Sequence, residues 1–272
     1  MIRSIKWAAT LAVDSGLGLL WVESGRYNRS AIGQSRRSKY SRRTLRKLAL
    51  IIFLTIGTNG YAQTNARVAQ SAADFVPRGY VVVQEIKGDL NKDQDPDIVL
   101  IIKGIDRSKF VKDEYRGELD RNRRGILVAL HDQHGYRLVL ENRNCFSSEN
   151  EDGGVYFAPE LGVGINKGNL TIHYAHGRYG YMTYAFRYQN ADFALIGYDS
   201  SSNRGPVVLN TVSVNLSTGR ARFQDNVNPD DDGGEEKFKE TWKKFTISNP
   251  IRLSEVRDFD ELDVPGLLGL VQ

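Results

Sequence analysis

The chain has 272 residues, of which 26% are charged, with a formal net charge of +4 and a single cysteine. Residues 1–62 hold 11 of the 37 Lys and Arg residues and 2 of the 33 Asp and Glu residues, so residues 63–272 have 26 basic and 31 acidic residues and a formal charge of −5. This balance argues against electrostatic binding of residues 63–272 to nucleic acid or anionic membranes. A lone cysteine excludes an intramolecular disulfide.

An export signal is predicted at residues 41–62. Basic residues in 42–47 precede an apolar stretch at 48–57, and small residues lead to a cleavage position after Ala62. A membrane-spanning helix needs roughly twenty apolar residues, and this stretch has about half that number. We therefore expect a periplasmic or secreted protein with no stable membrane span after cleavage. The general secretory and twin-arginine routes both stay open, and residues 1–40 are interpreted as lying upstream of the true start.

The rest of the chain is predicted to form one β-rich domain at residues 79–262, between a flexible lead-in at 63–78 and a tail at 263–272. Short runs of β-branched and aromatic residues alternate with turn residues. One short helix is predicted at 106–119, because Asp106 is a suitable N-cap and apolar residues follow at helical spacing. The predicted fold is all-β and mainly antiparallel, either a sandwich or a partial propeller. Strands are predicted at 80–86, 98–102, 126–131, 136–141, 161–165, 170–174, 181–188, 193–199, 212–216 and 220–223.

The acidic stretch between the first two predicted strands is the candidate metal site. Side-chain oxygens recur there at short intervals, at Asp89, Asn91, Asp93 and Asp97. Ca²⁺ prefers roughly six to eight oxygen ligands, which closely spaced carboxylates and amides supply. An EF-hand is excluded because its last ligand position requires Glu and is Leu100 here. The alternative interpretation is a turn without metal, since Asp and Asn favour turns through their own hydrogen bonds.

Residues 88–99 resemble the calcium loops of FG-GAP/VCBS repeats, the β-propeller units of integrin α chains and of many secreted bacterial proteins. Those loops follow a D-x-[DN]-x-[DN]-G-x-x-D pattern between two strands. The resemblance implies one Ca²⁺ site, in which the backbone carbonyl of Asp95 joins the side-chain oxygens of Asp89, Asn91, Asp93 and Asp97. Gln94 replaces the Gly of the pattern, and a positive φ at this position costs roughly 1–2 kcal/mol. Because the sequence has no second good copy of the loop, the resemblance indicates a site rather than a full propeller.

A candidate ligand-binding surface is predicted on the hairpin at 173–187. Alternation along the strand at 181–188 assigns Tyr184 and Phe186 to the core face. The other face and the hairpin turn carry side chains that suit sugars or carboxylates through stacking and hydrogen bonds, namely His173, Arg178, Tyr179, Tyr181, Thr183 and Arg187. The alternative is an ordinary solvent-exposed sheet face.

The sequence predicts an exported calcium-binding module that recognises an unknown protein or glycan and has no assignable catalytic activity. The alternative is a periplasmic hydrolase of a glycan or peptide, which would use the turn at 173–178 and carboxylates at Glu149, Glu151, Asp152 and Glu160. A hydrolase would need a deep pocket in which several of these side chains converge.

The acidic loop at 225–236 is interpreted as a solvated insertion, with a second cation site as the alternative. Trp242, which follows this loop, is interpreted as the return of an apolar pattern.

Overall fold

The computed structural model describes residues 67–150, 159–230 and 235–270. The predicted export signal, the residues before it, and Glu151 and Asp152 lie outside the described residues. Within the described ranges the chain forms fourteen strands, four 3₁₀ helices and a single short α-helix, α1 (Val264–Leu267). In chain order the strands are β1 (Val68–Ala69), β2 (Tyr80–Gly88), β3 (Asp97–Gly104), β4 (Phe110–Asp113), β5 (Gly117–Asp120), β6 (Arg124–Asp132), β7 (Gly135–Phe146), β8 (Glu160–Asn166), β9 (Asn169–Ala175), β10 (Gly180–Gln189), β11 (Asp192–Arg204), β12 (Val207–Asn215), β13 (Arg220–Asn226) and β14 (Phe238–Lys244). The 3₁₀ helices are Ala72–Phe75, Arg107–Lys109, Gly177–Tyr179 and Leu253–Glu255.

The strands form two large antiparallel sheets and one small hairpin, which confirms the predicted all-β fold class. The first sheet has the order β1-β7-β6-β3-β2, the second has the order β14-β13-β12-β11-β10-β9-β8, and β4 pairs with β5 alone. Tight turns explain why the second sheet follows chain order. Lys167 and Gly168 both have positive φ, at 51° and 74°, as a two-residue type I′ hairpin turn requires.

The two large sheets pack together through one apolar cluster, which makes the domain a β-sandwich. The first sheet contributes Val99 of β3 and Ile126 of β6, and the second contributes Tyr174 of β9 with Tyr184 and Phe186 of β10. The predicted core face of the strand at 181–188 is thereby confirmed, because Tyr184 and Phe186 are fully buried.

Strand β3 is buried on both of its faces. Val99 and Ile101 belong to the cluster between the sheets, whereas Ile98, Leu100 and Ile102 belong to a second cluster on the opposite side of the first sheet. Burial on both faces explains why the apolar run at 98–102 is unbroken instead of alternating. The acidic loop therefore precedes a strand at the centre of the structure.

The lead-in predicted as flexible is ordered from residue 67 onward. Ser71 accepts a hydrogen bond from the amide of Ala73, and Asp74 accepts one from the amide of Ser71, which together form a capping box. The 3₁₀ helix that follows buries Phe75 in the second cluster, against β3. The prediction failed here because the apolar partners of this helix are distant in sequence.

The predicted helix at 106–119 is wrong. Asp106 does act as an N-cap by accepting from the amide of Ser108 at 2.9 Å, but the helix is only the 3₁₀ turn Arg107–Lys109. The rest forms the β4–β5 hairpin, in which Asp113 accepts from two turn amides and Gly117 has a φ of 78°. The turn formed by Asp113 and Gly117 therefore determines the local structure, and the approximate helical spacing of the apolar residues does not.

The predicted tail is also part of the packed domain. Asp263 caps α1 by accepting from the amide of Gly266 at 2.9 Å. Val264 and Leu270 are buried in the cluster between the sheets. The folded unit therefore extends past residue 262.

Candidate functional site

The acidic loop between β2 and β3 is held by its own side chains. Oδ1 of Asp89 accepts from the amides of Lys92 at 2.5 Å and Asp93 at 3.2 Å, and Oδ2 accepts from the amide of Gln94 at 3.0 Å. Asn91 Oδ1 accepts from the amide of Asp93 at 3.1 Å. These bonds turn the side-chain oxygens of Asp89 and Asn91 toward the loop backbone, as Asx turns do.

Asp97 connects the loop to the sheet. Its side chain is 0% exposed, with Oδ2 accepting from the amide of Leu90 at 2.7 Å and Oδ1 accepting from the amide of His131 at 3.0 Å. Burial raises the pKa of Asp97, the two amide hydrogen bonds oppose this rise, and the negative charge of Asp93 adds to it. Asp93 and Asp97 therefore lie close enough for their charges to interact unfavourably.

Two non-glycine residues of the acidic loop have positive φ. Gln94 has a φ of 76°, in the left-handed region that favours Gly. Lys92 has a φ of 68°. The strain expected at Gln94 is thus present in the folded chain.

Most carboxylates of the loop have no ion-pair partner in the part of the chain that the structure describes. Among the described residues, Asp89, Asp93 and Asp97 have no ion-pair partner, and Asp95 lies 4.0 Å from Nδ1 of His131. Oxygen donors of this kind suit a hard cation such as Ca²⁺. Within the same residues no three His, Cys, Asp or Glu side chains are arranged to hold a metal. Coordination in this loop would thus also depend on the amide of Asn91 and on backbone carbonyls.

The structure brings together part of the predicted ligand-binding surface. On the outer face of the second sheet, Nδ1 of His173 is 2.8 Å from Oγ1 of Thr183, and the rings of His173 and Tyr181 are 5.4 Å apart. Arg178 and Tyr179 pair at the neighbouring turn, with the guanidinium 5.4 Å from the ring centre.

Arg187 is separated from this group. It pairs with Asn169 across the sheet, and its Nε donates to Asn169 Oδ1 at 3.3 Å. It lies six residues from Tyr181 along β10, about 20 Å in an extended strand. The predicted surface is therefore a smaller group around His173 and Tyr181.

Sequence reasoning missed the part of the same face that lies on β13 and β14. Trp242, interpreted from the sequence as the return of an apolar pattern, is 59% exposed. Opposite it on β13 stands Arg222. One row of cross-strand neighbours on this face runs through Gly162, His173, Thr183, Asp199, Ser213, Arg222 and Trp242. The sequence did contain a signal for this face, because alternate residues of a strand point to opposite sides of the sheet. This alternation puts Trp242 on the same side as Glu240 and Lys244, and opposite to Thr241 and Lys243.

A polar cluster near the turn at 173–178 was also missed. Nε2 of His176 is 3.2 Å from Oδ1 of Asp260, and the hydroxyl of Tyr174 donates to Oδ2 of Asp260 at 3.4 Å. The hydroxyls of Ser147 and Tyr174 are hydrogen-bonded. Burial raises the pKa of Tyr174 to about 12. Ser147 is 1% exposed, whereas the side chains of His176 and Asp260 are 19% and 30% exposed, so the network runs from the interior to the surface.

Of the carboxylates predicted for a hydrolase, Glu149 and Glu160 lie in the described part of the chain. Glu149 is 3.6 Å from Nζ of Lys103, and Glu160 is exposed at the start of β8.

Within the described ranges, no helix has both the length and the apolar character needed to cross a membrane. Comparison of the chain with protein-family models, with curated proteins and with solved structures gives no match.

Proposed function

We propose that the chain is an exported β-sandwich that binds one Ca²⁺ ion in the acidic loop and serves as a binding module for a protein or glycan. The observation that carries the proposal is Asp97. Its carboxylate is fully buried near the like charge of Asp93 and has no cationic partner in the described part of the chain. Burying an uncompensated charge destabilises a fold. A divalent cation bound by the loop oxygens would compensate this charge.

The donor set supports Ca²⁺ in particular. The oxygens come from carboxylates, from the amide of Asn91 and from the loop backbone, and Ca²⁺ accepts such mixed and irregular sets. The positive φ of Gln94 adds support, because the resembled family has Gly at this position. The export signal predicted at 41–62 supports a periplasmic or secreted location, where dissociation constants of about 10⁻⁴–10⁻³ M are sufficient for a structural site.

Thermal melting in the presence and absence of Ca²⁺ tests the proposal. The purified chain is melted in EDTA and in millimolar Ca²⁺. A free Ca²⁺ concentration about tenfold above the dissociation constant should raise Tm by roughly 3–5 °C. Asp93→Asn should remove most of this rise. Glu85→Gln is the matched control, because it removes one exposed negative charge from β2 outside the loop and should leave the rise intact.

Two results would overturn the calcium proposal. One is an unchanged Tm in millimolar Ca²⁺. The other is an equal rise in the wild type and in Asp93→Asn, which would place the cation elsewhere, for example in the acidic loop at 225–236.

The alternative function is a periplasmic hydrolase of a glycan or peptide. The pairing of His176 with Asp260 beside Tyr174 is the observation that favours it. Turnover of glycan or peptide substrates that is abolished in His176→Ala would establish the hydrolase in place of the binding module. Binding of a ligand without turnover would support the module.

A further inference from the structure

The indole of Trp242 is exposed and is oriented by one hydrogen bond. It lies on the outer face of β14, an edge strand of the second sheet, with 59% of its surface exposed. Its Nε1 donates to Oε1 of Glu240 at 2.6 Å, two residues away on the same face. A large aromatic ring that is both exposed and oriented is suited to stacking against a ligand.

Cationic side chains lie beside this indole on β13 and β14. Arg222 is the cross-strand neighbour of Trp242, and Arg220 is the neighbour of Lys244. Arg222 lies 3.9 Å from Glu240, a weak pairing between exposed groups. Arg220 and Lys244 have no ion-pair partner among the described residues. Lys243 points to the other side of the sheet, where its Nζ donates to the carbonyl of Leu270 at 2.7 Å.

A groove of about 570 Å³ lies between the indole and the arginines. Its volume is in the range of small-ligand sites, roughly 300–1,000 Å³. Short polar side chains on β12 and the β12–β13 turn provide hydrogen-bonding groups beside the aromatic and cationic ones. The lining residues are Ser213, Asn215, Thr218, Arg220, Arg222 and Trp242.

We propose that this groove binds an acidic sugar, with a sugar ring stacked on Trp242 and its carboxylate bound by Arg222 and Arg220. Guanidinium groups bind carboxylates through paired, charge-assisted hydrogen bonds. The carboxylate of Glu240 beside the indole favours a ligand that also has hydroxyl donors. The inference rests on the proposed function as a binding module and specifies its ligand as a uronate.

Two features favour an acidic sugar over single-stranded nucleic acid, which also binds to aromatic and cationic surfaces. Residues 63–272 have a formal charge of −5, so the positive groups form a local patch on an acidic chain. Glu240 also places a hydrogen-bond acceptor beside the stacking surface, which suits the hydroxyl donors of a sugar, whereas the phosphodiester backbone of single-stranded DNA has no hydroxyl donors.

Tryptophan fluorescence gives a direct test. The chain has three tryptophans, Trp7, Trp21 and Trp242. In a full-length variant with Trp7→Phe and Trp21→Phe, the emission comes from Trp242 alone. Titration with a galacturonate tetramer should change this emission saturably, whereas a neutral galactose tetramer should bind at least about tenfold more weakly because it lacks the charged acceptors.

Substitutions test each part of the groove. Arg222→Gln should weaken galacturonate binding about tenfold or more, since it removes a charge-assisted donor. Trp242→Ala, followed by calorimetry, should weaken binding severalfold, and Trp242→Tyr should restore part of the loss through stacking. Tyr115→Ala is the matched control, because Tyr115 is a 90% exposed aromatic on the β4–β5 turn and should leave binding unchanged.

Three results would overturn the proposal: no saturable response to galacturonate, equal binding of the galacturonate and galactose tetramers, or binding of a single-stranded oligonucleotide without binding of galacturonate. Melting curves of each variant establish that it is folded. Titrations in both EDTA and Ca²⁺ separate this test from the calcium proposal. A Ca²⁺-dependent rise in Tm with no emission change in either buffer would refute the sugar site alone.

Discussion

The backbone amide of His131 donates a hydrogen bond to Oδ1 of Asp97 at 3.0 Å, although the two residues are 34 positions apart in the chain. The other carboxylate oxygen of Asp97 accepts from Leu90 in the acidic loop. One buried side chain thus joins the loop to β3 and to the neighbouring strand β6. We infer that loss of this carboxylate loosens the loop and the first sheet together.

The titration of Asp97 should depend on Ca²⁺. Burial raises its pKa above the ordinary value of 3.8. Because the folded state then holds the proton more tightly than the unfolded state, the contribution of Asp97 to the free energy of unfolding falls as the pH rises from 3.8 through the folded pKa. Because Ca²⁺ binds only the deprotonated carboxylate, Ca²⁺ should lower the pH at which Asp97 is half protonated.

Carbon-13 NMR of the Asp97 carboxyl measures this midpoint directly, in EDTA and in Ca²⁺. Asp199, which is exposed on β11 of the second sheet and lies outside the acidic loop, is the internal control that Ca²⁺ should leave unchanged. A midpoint below 3.8 in EDTA, or one that Ca²⁺ does not move, would contradict the prediction.

Gln94→Gly should stabilise the folded chain. Gln94 has a φ of 76°, and removal of its Cβ relieves left-handed strain of roughly 1–2 kcal/mol, part of which is offset by the greater freedom of Gly in the unfolded chain. Urea unfolding should show a net gain of up to about 1 kcal/mol. Gln84→Gly, in the extended strand β2, is the matched control and should be destabilising. Loss of stability in both variants would show that Gln94 is not strained.

Phe75→Ala should destabilise the domain by about 3–5 kcal/mol, because Phe75 is buried against β3. The control Arg78→Ala alters an exposed side chain in the same segment and should change stability by less than about 0.5 kcal/mol. Equal, small effects of both substitutions in urea unfolding would mean that the segment before β2 does not contribute to the core.

The sequence was most informative where the structural signal is local. The predicted strands at 161–165 and 170–174 lie within β8 and β9, and the turn between them contains Gly168 with a positive φ. The alternation around Tyr184 correctly assigned the two faces of β10. Asp106 was correctly identified as a cap, yet a cap begins any helical turn and does not determine its length. The turn made by Asp113 and Gly117 determined that length instead.

Features that depend on strand register were not predictable from the sequence. Trp242 meets Arg222 only because β14 pairs with β13 in one particular register. Likewise, the burial of Asp97 depends on β6, and Phe75 finds its partners on β3 across the face of the first sheet. The oxygen-rich composition of the loop was visible in the sequence, but only the three-dimensional structure shows that Asp89, Asp93 and Asp97 have no ion-pair partner among the described residues.

Crystallography in millimolar Ca²⁺ tests the central claim most directly. We predict one cation in the acidic loop, about 2.4 Å from oxygens of Asp89, Asn91, Asp93 and Asp97. Side chains of Asp89 and Asp93 that bond only to loop amides, with no cation between them, would contradict it.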